Sequence, residues 1–209
     1  MTTAWRRCRA GRTAPTTPTR DDQDGFRQRL LDGLAASIVE EGYRDTTVAE
    51  IVRRARTSRR TFYQHFASKE ECFVGLLADV NAEMVRQISS AVDPHSPWRD
   101  QVRQAIEAWI AYAESEPAIT LSWIREVPSL GVPACRQDTT QAFVDMIQTL
   151  CATEEMRAAG VGPVSRELAV MLLGGLRELA ATTVEDGGRI SDVSETAVRA
   201  SIALLSPHS

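Results

Sequence analysis

Apolar residues recur along this chain every three to four positions, the spacing of helices that each bury one face, and the organisation reads as helical throughout. From Asp21 to Glu41 the stripe is Phe26, Leu30, Leu31, Leu34, Ile38 and Val39, opened by an Asp-rich first turn and closed by Gly42 in the position that follows a helix. Thr47 predicts the cap of a short second helix with Val48, Ile51 and Val52 inward, and Glu50, three residues on, predicts a capping box. This helix ends near Ala55. After Arg56 and Thr57, Ser58 predicts the cap of a third short helix that buries Phe62 and Phe66 at i, i+4. Ser68 then opens a long fourth helix with the stripe Phe73, Leu76, Leu77, Val80, Met84 and Ile88.

Beyond the linker at 93–97, further stripes follow: Val102, Ile106, Trp109, Ile110 and Ala113, then a short helix from Ile119 to Val127, then Phe143, Met146, Ile147, Leu150 and Cys151. The last two helices, about 164–185 and 191–205, are apolar on more than one face. A two-faced helix needs two partners. One is the chain's own core; the other is either a second copy of the chain, with Gly174 and Gly175 allowing close approach, or a deeper core. The dimer is the expectation.

Composition sets bounds on this picture. With 43% of 209 residues in the hydrophobic set, the chain builds a sizeable core without disulfides or a structural metal. No apolar run reaches the roughly 20 residues of a bilayer crossing, since the run 168–176 meets Arg177 and Glu178, so no membrane span is expected. Four dispersed cysteines and three dispersed histidines form no metal or redox motif. No cofactor and no metal are expected, and without a secretory signal the expected location is cytoplasmic.

The net charge of -4 hides an asymmetry. Residues 1–66 hold 13 Arg against 8 acids, while the rest hold 11 basic residues against 20 acids. A basic end on an acidic body suits a protein that presents one end to a polyanion. The first 20 residues carry five Arg and no acid, and read either as an arm that touches DNA or as an unstructured tail. Within 53–60 stand Arg53, Arg54, Arg56, Arg59 and Arg60 with no acid, packed around a tight helix-turn-helix. Phosphate neutralisation accounts for that density, and the second helix of such a pair fits the major groove.

At these residues the chain resembles the TetR family of one-component regulators. The resemblance rests on Gly42-Tyr43, on Thr46-Thr47-Val48-Ala49-Glu50-Ile51, on Ser58 through Thr61-Phe62-Tyr63-Gln64-His65-Phe66, and on Ser68-Lys69-Glu70. It is close over about 25–75, and beyond that covers only the number and order of helices. It implies phosphate contacts from Thr47, Tyr63, His65 and Lys69, and base-edge contacts from Arg59, Arg60, Thr61 and Gln64. Arginine suits guanine O6 and N7, and glutamine suits adenine. The chain departs from the family at Arg56-Thr57, where Gly-Val is common, so a position often served by glycine's positive φ carries an arginine.

The fold expected is all-α, with a flexible basic arm (1–20), a three-helix helix-turn-helix DNA-binding domain (21–67), and a helical effector-binding and dimerisation domain (68–209) reached through the long helix. The resemblance also implies a ligand cavity. Trp109, Tyr112, Trp123, Phe143, Met146 and Met171 are the bulky groups available to line it, with Arg125, Glu126 and Glu178 as polar anchors, which suits an apolar or amphipathic effector. An enzyme is not expected, because no phosphate loop, nucleophile elbow or zinc motif is present. The expected function is a homodimeric repressor that leaves a near-palindromic double-stranded DNA operator when a small-molecule effector binds. An activator, or a nonspecific DNA-binding protein without effector control, is the alternative.

Overall fold

The computed structural model describes residues 20–126 and 133–207, with side chains placed at 25–126 and 140–207. The basic arm therefore lies outside the described residues, apart from Arg20. The helices run α1 Arg20–Glu41, α2 Val48–Arg54, α3 Arg59–His65, α4 Lys69–Ala91, α5 Trp98–Ser115, α6 Pro117–Glu126, α7 Pro133–Leu150, α8 Glu154–Ala158, α9 Arg166–Glu185 and α10 Ser194–Leu205, with a 3₁₀ turn at Ile190–Val193. No strand occurs among the described residues.

The caps follow the sequence. Thr47 accepts from the Glu50 amide, Ser58 from Thr61, Ser68 from Glu71 and Ser165 from Leu168. The capping box at α2 is only half made, because the Glu50 carboxylate turns to Arg53 and Arg54 instead of the Thr47 amide. Helix α8 is missing from the hydrophobic pattern since five residues carry no stripe, yet the Thr153 cap on the Met156 amide marks it. Val39, expected inward, is exposed.

Helix α1 is the hub of the N-terminal half, packed on α2, α3, α4 and α6. Its crossing with α2 is close: a Cβ on Gly33 would lie 2.8 Å from the Ile51 carbonyl oxygen. Helix α4 leaves this unit and continues against α5 and α7, and α9 packs on α6 and α7. One contiguous apolar cluster runs from Leu30 in α1 through Phe62, Phe73, Met84, Trp109 and Phe143 to Leu205.

Three helices end in the same hydrogen-bond pattern, in which the two residues past the cap donate back into the last turn. At α8 the donors are Gly160 and Val161, and at α9 Gly187 and Gly188. At α2 they are Arg56, to Arg53 O at 3.3 Å, and Thr57, to Val52 O at 3.0 Å. The first residue of each pair has positive φ: 77° at Gly160, 82° at Gly187 and 50° at Arg56. The turn of the helix-turn-helix thus keeps the left-handed geometry that glycine ordinarily supplies, and Arg56 is the one non-glycine residue with positive φ among the described residues.

Candidate nucleic-acid interface and candidate effector cavity

Helix α3 is short, and its placement depends on the side chains it buries. Phe62 is fully buried and Phe66 nearly so, their rings 5.8 Å apart, while Ser58 fixes the first turn. With that face anchored, Arg59 and Tyr63 form one exposed row at i, i+4, and Arg60 and Gln64 a second. Tyr63 stands edge-on to Phe62 and is 58% exposed, so its hydroxyl faces solvent from a rigid base. Thr61 and His65 are half-buried at the margin, and the Thr61 hydroxyl is paired with Ser58 Oγ at 3.0 Å. Thr47 is exposed at the start of α2.

The five arginines of 53–60 do not act alike. Arg53 pairs with Glu50, and Arg54 with both Glu50 and Glu40. The hydrogen bond from Arg54 holds the Glu40 carboxyl below its usual range, and that from Arg53 does the same for Glu50. Arg56, Arg59 and Arg60 make no ion pair with any described residue, so the outward positive charge gathers at the turn and the start of α3 rather than over the whole segment.

Lys69 also differs from the expectation. Its ammonium donates to the carbonyl oxygens of Tyr43 (2.9 Å), Arg44 (3.3 Å) and Thr46 (2.9 Å), and sits 4.4 Å from the centroid of the Tyr43 ring. An ammonium has three donors, and all three are engaged. Lys69 pins the α1–α2 turn to the start of α4. What it retains for a phosphate is charge, not a free donor. Beneath it Tyr43 stacks on Phe73 at 4.2 Å.

A second tie joins the halves. Arg44, in the same turn, donates to Glu126 at the end of α6 at 3.0 Å. Nothing in the sequence pairs these residues, which are 82 positions apart.

Between α4, α5, α7, α9 and α10 lies an apolar cavity of about 70 Å³. Of the residues expected to line it, Trp109, Phe143 and Met146 do, joined by Met156, Leu173 and Leu176 among others. The remaining three do not. Tyr112 donates its hydroxyl to Val80 O and ties α5 to α4; Trp123 is buried behind Phe143, stacked at 5.6 Å; Met171 is 63% exposed. The expected anchors are engaged elsewhere, Arg125 with Glu178 and Glu185, and Glu126 with Arg44. Burial pushes the Cys72 thiol up to about 12 and Cys151 to about 11.

The sequence reading missed Arg177. Its guanidinium lies 3.9 Å from the Trp123 ring centroid and 5.6 Å from that of Phe143, and its Nε and Nη2 are buried without a hydrogen-bond partner. Burial lowers its pKa to about 10, which leaves it cationic at neutral pH. The signal was available, since Arg177 follows directly on the apolar run 168–176.

On the surface of α9 and α10, Val170, Met171, Gly174, Gly175, Ala200, Ala203 and Leu204 are exposed. Outside their own stretch of helix backbone, no atom lies within 4 Å of where a Cβ would stand on Gly174 or Gly175. Among the described residues no helix is long and apolar enough to cross a membrane, and no group of His, Cys, Asp and Glu is placed to hold a metal ion.

Residues 30–76, which hold most of α1, all of α2 and α3 and the first third of α4, match the family described as bacterial regulatory proteins, tetR family. Over these residues the chain is similar to that family. The transcriptional activator FasR of Mycolicibacterium smegmatis is 30% identical over 94 residues, which are 45% of this chain and 43% of FasR. The chain thus spans less than half the length of the curated relatives it matches. Among solved structures, the regulator FadR of Bacillus subtilis, in complex with stearoyl-CoA, superposes with a TM-score of 0.71 over 87% of this chain and 99% of that one, at 14% identity. A TetR-family regulator of Syntrophomonas wolfei gives a TM-score of 0.71 over 87% and 95% of the two chains, at 16% identity. At such identities the likeness is one of fold: a helix-turn-helix followed by a helical body.

Proposed function

We propose that this chain is a homodimeric transcription regulator of the tetR family, a repressor, that reads a near-palindromic operator through α3 and leaves it when a small molecule enters the cavity. The observation that carries this reading is the outward face of α3, where Arg59, Arg60, Tyr63 and Gln64 project from a helix locked by Phe62 and Phe66. Arg60 and Gln64 read base edges; Tyr63, Thr47 and the charge of Arg56 hold phosphates. Thr61 and His65, half-buried beside them, make short-range contacts at the margin. The exposed apolar strip of α9 and α10 is the dimer face.

Release works through α4 and α6 together. The 23 residues of α4 span about 34 Å, so a tilt of about 5° at the cavity end moves the Lys69 end by about 3 Å. That is a whole hydrogen-bond length. In a two-fold dimer both α3 helices must match half-sites about 34 Å apart, so both contacts fail together. Helix α6 carries the same movement to the α1–α2 turn through Glu126 and Arg44. Emptying an operator from 99% to 1% requires the effector to prefer the released state by about 5.5 kcal/mol.

The test is selection of the operator from random DNA, followed by profiling of Arg60→Ala. A loss of about 1–3 kcal/mol confined to one symmetric base position is expected. A uniform loss over all sequences makes Arg60 a phosphate contact, and failure to enrich any sequence removes the regulator reading.

A further inference from the structure

The cavity wall is almost wholly apolar, and its polar members are satisfied within the protein. Gln101 donates to Pro94 O and Ser96 O and accepts from Thr153, and Ser201 donates to Ala197 O. Two donors in and beside the wall are not satisfied: the indole Nε1 of Trp109, and the Nε–Nη2 edge of Arg177. The second is the more telling. A guanidinium taken out of water without a carboxylate is costly, more so than an unpaired indole N–H such as that of Trp109. The acids that follow it on α9, Glu178 and Glu185, turn to Arg125 on the surface. Two aromatic faces, Trp123 and Phe143, hold the group in place of an anion.

The shape of the unsatisfied edge defines what completes it. Nε and Nη2 point in parallel from one side of the guanidinium and match the two oxygens of a carboxylate. Arg125 shows this fit in the same molecule, gripping Glu185 through its own Nε and Nη2, both at 2.7 Å. Phe143 is common to both places: one of the cavity's lining residues, and one of the two rings against the guanidinium. Leu173 and Leu176, which precede Arg177 on α9, line the cavity as well.

We infer that the effector is an amphipathic carboxylate, its apolar body lodged in the cavity and its carboxylate received by the Nε–Nη2 edge of Arg177 beside Phe143. The inference rests on the regulator reading for the word effector, but the binding site stands on its own geometry. A space of about 70 Å³ is small for such a molecule, and Met146 and Met156 in the wall are the unbranched side chains that re-pack to enlarge it. Engagement of Arg177 also reaches α6 directly, since Trp123 is the ring beneath the guanidinium and Glu126 stands one turn further on.

The test compares octanoate with octanol, which differ in the charged head, by calorimetric titration of the full chain. Octanoate is expected to bind about ten-fold or more tightly than octanol, as one bidentate charged contact provides. Arg177→Met should abolish that preference. Arg177→Lys, which keeps charge but loses the fork, should retain only part of it. Equal binding of the two probes to the unmodified chain overturns the inference without recourse to any variant, as does an unchanged ratio in a folded Arg177→Met protein or the absence of binding by both probes. Operator binding is measured on the same preparations. Intact operator binding without carboxylate preference removes this site and leaves the regulator reading; carboxylate preference without operator binding does the reverse.

Discussion

Replacing Arg56 with glycine should stabilise the protein and weaken its hold on DNA. Arg56 occupies the turn of the helix-turn-helix at φ 50°, with its amide and that of Thr57 closing the end of α2. The left-handed conformation costs an L-residue roughly 1–2 kcal/mol, and glycine's greater freedom in the unfolded chain takes back about 0.5–1. The net gain is about 0.5–1 kcal/mol, or about 1–4 °C in melting temperature for a chain of this size. The same substitution removes one of three cations near α3 that have no ion pair among the described residues, and with it the phosphate contact proposed for each protomer. The slope of log affinity against log salt should flatten by about 0.9 per protomer. Calorimetric melting and titration of an operator at several salt concentrations measure the two effects separately. The α9 terminus is the control: Gly187, with open space around it and φ 82°, becomes strained if replaced by arginine, and Gly187→Arg should lower the melting temperature by a comparable amount. A melting temperature that Arg56→Gly leaves unchanged or lowers, in a protein that Gly187→Arg destabilises, refutes the argument from backbone strain. An unchanged salt slope refutes the phosphate role.

Other outcomes follow from the same structure. Leu204→Glu, on the exposed strip of α10, and Gly174→Glu, on that of α9, should each convert the proposed dimer to monomer in sedimentation; an unchanged dimer in both moves the interface elsewhere. Lys69→Met removes one charged donor from three carbonyls and should lower stability by about 1.5–3 kcal/mol in denaturant unfolding, whereas a residue used only for phosphate would leave stability alone. Stability should also fall in acid. Glu185, hydrogen-bonded by Arg125, Glu195 by Arg103 and Glu114 by Arg189 all titrate below the ordinary 4.5 when folded, so their contribution is complete above that pH and is lost as pH falls through the lower folded values. Melting temperatures followed from pH 7 to pH 3 check this, and a flat profile counts against it.

What the sequence made legible was local. Caps at Thr47, Ser58 and Ser68 and the Phe62–Phe66 pair are decided within a few residues of each other, so helix-turn-helix geometry could be read directly from the string. The turn itself could be read as a question, whether Arg56 avoids positive φ or endures it, and the structure answers that it endures it. What stayed hidden depends on distant partners. Trp109, Trp123 and Met171 are alike in sequence as large apolar residues on helices, yet one lines the cavity, one lies behind Phe143 and one faces outward, because helix rotation is set by neighbours far along the chain. The resemblance implies a phosphate role for Lys69, but its three partners within the chain stay hidden, because they are backbone carbonyls, which carry no sequence signature. Charge alone does not distinguish Arg177 from Arg125; only burial does.

The single apolar cluster bears on how such proteins can be recombined. A chimera that grafts this helix-turn-helix end onto another helical body would ordinarily be cut at 67/68, before α4. Here that cut separates Tyr43 from Phe73, Lys69 from its three carbonyls, and Arg27 from Asp79. The first three turns of α4 belong energetically to the helix-turn-helix unit. A functional exchange should therefore require a junction beyond Asp79, inside the long helix, and should also replace the end of α6 so that Arg44 again meets an acid.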